Sequence, residues 1–348
     1  MQSSVFVYDP TVHDEQSKVR GVGRYLEILR ENFQDEWKFT NNLSLISKHA
    51  PSVFINPFFN FLQKPVAMRR VAKKQIAVVH DLIPLKYPDS FPIGIKGKIN
   101  VFLSNLALKN YDTIVTDSQA SKRDIIRILK LSENVIKVIY PCLPKVFLKS
   151  KSETPNSKLG INSNSKNLKI ASGFCLYVGD ATWNKNLVNL AKAIKIANVT
   201  CVFVGKVFTD ADKLSNPWQN ELKEFLSETR NDKRFILAGF LPDKELINLY
   251  KQTKLNILLS RDEGFGFSFL EAASQGTPSV LSDIEVFREL ASDSASFSSF
   301  EDCYEAANKI GEIYFNKGMQ KNLGLKALQR SKYFDTTRFK SEFLKTIG

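Results

Sequence analysis

A chain of 348 residues is longer than one hydrophobic core usually becomes, so the length predicts two domains. Its 43% hydrophobic and 24% charged residues exclude an intrinsically disordered chain. The formal net charge of +13 predicts an anionic partner, either a nucleic acid, an anionic lipid surface or a phosphorylated small molecule. The four cysteines and three histidines are scattered without metal-site spacing, so we expect reduced thiols in a cytoplasmic protein and no bound metal.

The first half of the chain alternates short apolar runs with amphipathic stretches. Strands are predicted at residues 4–8, 75–80, 113–116 and 134–139, and helices at residues 25–30, 96–110 and from Ser121, the expected N-cap. A basic cluster extends from Lys64 to Lys74, and its apolar residues favour a peripheral contact with an anionic membrane. The alternative is a solvated face that only aids solubility. No signal peptide or membrane-spanning segment is predicted.

A change in composition near the middle of the chain predicts a domain boundary. Residues 149–172 are rich in Ser, Asn and Lys, which is typical of a linker or an exposed loop. The alternation then restarts, with strands predicted at residues 174–178, 200–204, 234–237, 255–259 and 279–281 and mostly helical sequence after residue 300. We therefore expect an N-terminal domain at residues 1–165, a C-terminal domain at 166–325, and a helical segment at 326–348 that packs back on the N-terminal domain.

Alternating strands and helices predict the α/β class, with two doubly wound, Rossmann-like parallel sheets that face each other across a cleft. Ligands of such sheets bind beyond the carboxyl ends of the strands, so functional residues are expected in the strand-to-helix loops. This architecture suggests a nucleotide-handling enzyme, but a fold alone does not name a reaction.

The most informative loop follows the strand predicted at 255–259. It carries Glu263, enters a predicted helix that contains Glu271, and includes between them the run Gly264, Phe265, Gly266 and Phe267. Glycines let backbone amides approach a ligand, and a helix start adds free N–H groups, so the segment fits a phosphate site. A carboxylate at Glu271 can accept hydrogen bonds from ribose hydroxyls. The alternative is structural, because Ser268 and Glu271 have the spacing of a capping box.

Several motifs occur in this chain in a recognisable order. Glu263 and Glu271 have Glu-x7-Glu spacing, and the other motifs are Gly21-x-Gly23-Arg-Tyr, His80-Asp81-x-x-Pro84, Thr116-x-Ser118, Tyr177-Val-Gly-x5-Lys185-Asn186 and Gly239-Phe-x4-Glu245. Over most of its length the chain therefore resembles the family 4 retaining glycosyltransferases, which have the GT-B fold, and its motif variants look most like those of bacterial mannosyltransferases.

The resemblance implies a role for each matching side chain. Glu263 would hold the hydroxyls of the donor sugar, and Glu271 would bind the ribose of the nucleotide. Lys185 would neutralise the leaving diphosphate, which removes the need for a divalent metal. His80 would face the sugar near the reacting centre.

The resemblance also implies roles for the backbone. Amides at residues 264–267 would approach the sugar or phosphate, and Gly21 and Gly23 would let their loop close over the phosphates. Asp210-Ala-Asp212 resembles the Asp-x-Asp metal motif of the other major glycosyltransferase fold, but it lacks the surrounding pattern, so we interpret it as a solvated loop.

Three positions depart from the family pattern. Asp180 stands where the family often has arginine, and Asn184 stands where arginine is frequent, so one cation of the usual pair is missing. Lys206 or another basic residue is expected to substitute for it. Ser268 occupies a position where proline is common.

These observations predict a retaining hexosyltransferase that moves a hexose, with mannose favoured, from a nucleoside-diphosphate sugar to a glycan or lipid-linked sugar acceptor in cell-surface polysaccharide synthesis, for example of lipopolysaccharide. GDP-mannose is the first choice of donor, and no cofactor or metal is expected. The alternatives are another nucleotide-sugar enzyme on the same fold, an inactive family member, and a basic nucleic-acid-binding protein. The last is disfavoured because the predicted strands look buried on both faces.

Overall fold

The computed structural model describes residues 4–12, 21–149, 160–163, 166–169, 173–209, 214 and 216–348. The chain divides into two compact units. Unit 1 consists of Met1–Pro144 and Phe334–Gly348, and unit 2 consists of Lys145–Tyr333. Each unit contains one six-stranded sheet in which every pairing is parallel, so the prediction of two doubly wound sheets is confirmed.

Unit 1 is built on the strand order β2-β1-β3-β4-β5-β6. The chain reverses its direction of winding between β1 and β3, which makes a crevice at the carboxyl ends of these strands. Strands β3 and β4 are almost completely buried because helices cover both faces of a parallel sheet. The elements are β1 (Val5–Tyr8), α1 (Gly21–Phe33), β2 (Lys38–Thr40), α2 (Leu43–His49), β3 (Val53–Asn56), β4 (Lys74–Val78), α3 (Ile83–Lys86), α4 (Gly94–Leu108), β5 (Thr113–Thr116), α5 (Gln119–Leu129), β6 (Ile136–Val138) and α14 (Thr336–Ile347).

Unit 2 has the strand order β11-β10-β9-β12-β13-β14 in its main sheet. When only the strands of this sheet are numbered along the chain, the order is 3-2-1-4-5-6, and the winding reverses between β9 and β12. The elements are α6 (Lys145–Lys149), β7 (Gly160–Ser163), β8 (Lys166–Lys169), β9 (Cys175–Val178), α7 (Leu187–Ala197), β10 (Cys201–Val204), α8 (Asn220–Thr229), β11 (Phe235–Gly239), α9 (Asp243–Gln252), β12 (Leu255–Leu258), α10 (Phe267–Ser274), β13 (Ser279–Ser282), α11 (Glu285–Ala291), β14 (Ser296–Ser298), α12 (Cys303–Tyr314) and α13 (Lys317–Ser331).

The last helix of the chain, α14, belongs to unit 1. Its Phe343 packs edge-on against Trp37, with ring centroids 6.0 Å apart, and Phe339 lies 6.2 Å from the ring of Tyr25. Lys340 forms an ion pair with Glu36 at 2.7 Å. The aromatic side chains of α14 therefore fill a part of the unit 1 core that earlier residues leave open.

The observed unit boundaries differ from the expected ones. Unit 2 begins at Lys145 rather than 166, because α6 packs against α9 and α10. Its end lies at Tyr333 rather than 325, because α13 packs against α10 and α12. Within the expected linker, the described residues form the antiparallel pair β7–β8.

Some local predictions were wrong. The N-cap of α5 is Ser118, whose side chain accepts a hydrogen bond from the Ser121 amide, and Ser121 itself lies inside the helix. Strands β2 and β3 and helix α2 were not predicted. The run at Val53–Asn56 is buried on both faces and continues into further apolar residues, so no alternation marks it as a strand.

Two glycines bring neighbouring strand ends of unit 2 into close contact. Gly179 follows β9 and donates its amide hydrogen to the carbonyl of Val204 at 3.0 Å. Gly205 follows β10, and a Cβ atom at this position would overlap the carbonyl oxygen of Gly179. The two backbones can approach each other at this edge because Gly205 carries no side chain.

Candidate active site

Lys185 and Glu263 meet at the point where the winding of the unit 2 sheet reverses. Lys185 lies in the turn after β9, and Glu263 lies in the loop after β12. The Lys185 Nζ atom is 2.8 Å from Oε1 and 2.7 Å from Oε2 of Glu263. Ser260 donates a hydrogen bond to Oε1 at 2.7 Å. The side chains of Lys185 and Glu263 retain 21% and 10% exposure, so the pair is accessible to a ligand at the sheet edge.

Asparagine side chains fix the turn that carries Lys185. Asn186 adopts a left-handed conformation with φ 57°, which asparagine tolerates better than most residues. Its amide donates hydrogen bonds to the carbonyls of Leu259 at 2.9 Å and Phe300 at 2.7 Å. Asn184 donates to the carbonyl of Asp262 at 3.0 Å. The turn after β9 and the loop after β12 are thereby joined on both sides of Lys185.

Asn184 and Asp180 occupy the two positions at which the resemblance leads us to expect arginine in many family members. Asn184 is buried, and its carbonyl accepts a hydrogen bond from the Arg261 amide at 2.7 Å. The Asp180 side chain accepts from the Ala181 amide at 2.8 Å. Both residues therefore shape the turn, and neither supplies a cation.

Arg261 was not singled out from the sequence. Its guanidinium donates to the carbonyl of Trp183, lies over the Trp183 ring at 4.8 Å and forms an ion pair with Glu221 at 3.3 Å. Burial raises the pKa of Glu221, although Arg261 opposes the shift. These contacts hold Arg261 beneath the turn, where it supports the position of Lys185.

The glycine-rich loop leads into α10 as the sequence predicts, but its cap differs. The N-cap is Gly266, with φ 108° and no side-chain cap hydrogen bond, so the structural alternative, a capping box of Ser268 and Glu271, is not formed. Gly266 is required here because positive φ strains other residues and because a Cβ would contact the ring of Phe287. Residues Gly264 and Phe265 are buried, and the ring of Phe265 lies 5.2 Å from that of Phe267.

Glu271 lies one residue beyond the first turn of α10 and is 3% exposed. Its Oε2 atom accepts a hydrogen bond from the Tyr250 hydroxyl at 3.1 Å. Tyr250 was not predicted as part of the site, although it is the last residue of the longer motif Gly239-Phe-x4-Glu245-Leu246-x2-Leu249-Tyr250. This contact gives the Glu271 carboxylate a fixed orientation below the loop.

His80 lies at the carboxyl edge of the unit 1 sheet, after β4. Its Nδ1 atom is 2.5 Å from Oδ2 of Asp117, and its Nε2 atom is 3.0 Å from the carbonyl of Pro57. The Tyr25 ring contacts it edge-on at 4.7 Å. Burial disfavours the charged ring, but the buried Asp117 carboxylate outweighs this effect and raises the pKa of His80 above 6.5. Both nitrogens face acceptors, so the geometry favours the doubly protonated imidazolium.

The Asp117→Asn variant should lower the pKa of His80, because the opposing carboxylate is removed and burial then dominates. The folded-state pKa is raised, so the pair stabilises unit 1 below the unfolded value near 6.5, and this stabilisation is lost as the pH rises through the folded value. An NMR titration of the imidazole signals measures the change. The Asp124→Asn control removes an acid that pairs with Lys86 instead, so it should leave the pKa of His80 unchanged in the same titration. If the His80 signals titrated in Asp117→Asn as they do in the parent protein, Asp117 would not be the cause of the raised pKa of His80.

Gly21 and Gly23 are placed differently from the expectation. Both lie in the first turn of α1 rather than in a loop. A Cβ at Gly21 would meet no atom within 4 Å, so the space beside this helix start is open. Asp210 and Asp212 lie outside the described residues. Within the described part of the chain, no group of three or more His, Cys, Asp or Glu side chains could hold a metal ion.

Comparison with known proteins confirms the predicted resemblance. Residues 161–330 match the model of the family Glycosyl transferases group 1. The O-antigen chain mannosyltransferase RfbU of Salmonella typhimurium is 25% identical over 235 residues, which cover 66% of this chain and 58% of that protein. The serotype-specific mannosyltransferase WbdA of Escherichia coli is 26% identical over 244 residues, which cover 67% of this chain and 29% of that protein. The chain thus matches less than two thirds of the length of either relative.

Solved structures share the fold over nearly the whole chain. The structure of Anabaena HepE in complex with UDP and glucose has a TM-score of 0.74 at 17% identity and covers 99% of both chains. Sucrose-phosphate synthase from Thermosynechococcus elongatus has a TM-score of 0.70 at 14% identity, with 99% of this chain and 98% of that chain covered. The two doubly wound units therefore define a GT-B fold. The family match covers residues 161–330, and the chain is similar to O-antigen mannosyltransferases.

Proposed function

We propose that the protein transfers a hexose, with retention of anomeric configuration, from a nucleoside-diphosphate sugar to a glycan or lipid-linked sugar during cell-surface polysaccharide synthesis. The observation that carries this proposal is the contact of Lys185 with both carboxylate oxygens of Glu263 at the switch point of the unit 2 sheet. Switch points are where such sheets bind their ligands.

The paired groups match the two charges that develop in the reaction. Negative charge accumulates on the departing diphosphate, and the Lys185 ammonium together with backbone amides at the start of α10 can stabilise it. Positive charge develops on the sugar ring, and the Glu263 carboxylate can hold the ring hydroxyls. We propose that this cation replaces a metal, so no cofactor enters the reaction. The His80 imidazolium is proposed to order the Asp117 region, since both of its N–H groups already donate to acceptors within unit 1 and it has no lone pair to act as a base.

The relatives support mannose as the sugar. RfbU and WbdA are named as mannosyltransferases, so GDP-mannose is the proposed donor and a growing surface glycan the proposed acceptor. HepE was solved with UDP and glucose, so UDP-glucose is the donor to compare. Among the described residues no helix could cross a membrane, and we propose that access to a lipid-linked acceptor comes from peripheral contact.

A thermal-shift panel with GDP, UDP, GDP-mannose and UDP-glucose tests the donor. A ligand present at 100 times its dissociation constant stabilises the native state by about 2.7 kcal/mol, so the correct nucleotide should raise the unfolding midpoint by several degrees. Selective stabilisation by the guanine nucleotides supports the proposal. If none of the four ligands stabilises the parent protein at high concentration, nucleotide-sugar dependence is contradicted. A protein that binds a nucleotide sugar but transfers no sugar to any glycan acceptor would be the inactive family member.

The second phosphate-binding cation is proposed to be Lys206. It is exposed and follows Gly205 at the end of β10, beside the Gly179 backbone that begins the Lys185 turn. The Lys206→Ala variant should bind the nucleoside diphosphate about fivefold to tenfold more weakly, as expected for one exposed phosphate contact. Isothermal titration with GDP measures this, and Lys223→Ala on α8 is the matched control. Equal affinity in the two variants would rule out Lys206.

A further inference from the structure

Helix α4 presents an apolar stripe to solvent. The stripe consists of Ile95, Ile99, Phe102 and Leu106, which are 81%, 54%, 64% and 39% exposed. Their spacing is four, three and four residues, so they share one face of the helix over about 16 Å. An exposed row of large side chains costs solvation free energy and is uncommon on a surface without a partner.

The stripe is not the face that packs on the core. The buried residues of α4 lie on its opposite side, and Asn100 on that side donates a hydrogen bond to the carbonyl of Leu62 at 2.8 Å. At about 100° per residue, the centre of the buried face and the centre of the stripe are roughly half a turn apart. The helix therefore packs on unit 1 through one face and presents the apolar stripe on the other.

The surroundings of the stripe are strongly basic. Lys96 and Lys98 flank it on its two sides, and both are exposed. The end of α4 is tied to the segment of Met68, Arg69 and Arg70, because the Asn110 amide donates to the carbonyl of Met68 at 3.2 Å. From residue 41 to residue 112 the acids are Asp81, Asp89 and Asp112, the last of which pairs with Arg70, against ten basic residues: Lys48, Lys64, Arg69, Arg70, Lys73, Lys74, Lys86, Lys96, Lys98 and Lys109.

We propose that helix α4 lies in the interface of an anionic lipid bilayer, with the stripe inserted among the acyl chains and Lys96, Lys98 and Arg69 on the headgroup phosphates. Apolar side chains beside lysines are the arrangement that membrane-surface helices use. A second copy of this chain fits less well, because two identical basic rims would repel each other. The inference deepens the proposed peripheral contact by naming the element that makes it.

Vesicle co-sedimentation of the full chain tests the proposal. The protein should bind phosphatidylcholine vesicles that contain phosphatidylglycerol, bind pure phosphatidylcholine vesicles more weakly, and lose affinity as salt rises. The Ile99→Ser/Phe102→Ser variant should partition about tenfold or more weakly, because two buried apolar side chains are lost. The Lys96→Gln/Lys98→Gln variant should lose about fivefold per lysine on anionic vesicles only.

The matched control is Phe315→Ser. Phe315 is 70% exposed and lies in unit 2, so its replacement should leave vesicle binding unchanged. Equal partitioning of Phe315→Ser and the stripe variant would overturn the proposal. So would a parent protein that ignores anionic vesicles but forms dimers that the stripe variant abolishes in sedimentation velocity. The assay contains no nucleotide sugar, so failure here is distinct from failure of the proposed transferase activity.

Discussion

Replacement of Lys185 by alanine is expected to lower kcat about 100-fold to 1,000-fold with little change in stability. This is the loss typical of removing one preorganised group that stabilises transition-state charge. Lys185 contacts both oxygens of Glu263, and the asparagine contacts that hold its turn do not involve the ammonium. Release of nucleoside diphosphate from the sugar donor, followed in a coupled assay, measures the effect.

The matched control is Lys192→Ala on α7, which removes an exposed lysine from the helix that follows the same turn. It should retain the parent's kcat. If Lys185→Ala had the same kcat as Lys192→Ala, the proposed role of Lys185 in stabilising the leaving diphosphate would be contradicted.

The same ion pair predicts non-additivity. Glu263→Gln alone should lower kcat strongly, because the sugar loses a fixed acceptor. The double variant Lys185→Ala/Glu263→Gln should be far less impaired than the product of the two single losses, since residues that act as a unit are not additive. A multiplicative loss would mean that the two side chains act on separate steps.

Gly205→Ala is expected to destabilise unit 2 by about 3 kcal/mol or more, because the new methyl group would overlap the backbone carbonyl of Gly179. A backbone atom cannot move aside as the end of a side chain can. In a unit of this size the unfolding midpoint should fall by about 6–12 °C. Calorimetry measures the change.

Gly311→Ala is the opposite case and serves as the control. Gly311 lies inside α12, and a Cβ there meets no atom within 4 Å. Alanine should stabilise the helix by about 1 kcal/mol because it restricts the unfolded chain. If the two variants changed the unfolding midpoint in the same direction, the close approach of Gly179 and Gly205 would be wrong.

Sequence patterns placed Lys185 and Glu263 in loops that follow predicted strands of unit 2, and a parallel sheet brings such positions to one edge. His80 is the last residue of the strand predicted at 75–80 in unit 1. Their partners could not be predicted in the same way. Asn184 contacts residue 262, and His80 contacts Asp117, across 78 and 37 residues of chain, and no local periodicity specifies such pairs.

The errors in the fold predictions have local physical causes. The capping box was the alternative interpretation because Ser268 and Glu271 have the right spacing, but Gly266 adopts a positive φ as the N-cap, and α10 begins at Phe267. The resemblance placed Gly21 and Gly23 in a loop, yet α1 begins at Gly21, since two glycines do not by themselves prevent a helix from starting. Burial on both faces concealed β3.

The return of α14 to unit 1 has a consequence for dissecting the protein. The polypeptide passes between the units twice, at Pro144–Lys145 and at Tyr333–Phe334, so unit 1 is discontinuous in sequence. A fragment that stops at Pro144 would lack Phe339 and Phe343, which pack against Phe33 and Trp37. It would therefore expose an apolar surface patch that is prone to aggregation. Expression of unit 1 alone therefore calls for a permuted gene that fuses the final fifteen residues, 334–348, to the first segment through a designed linker.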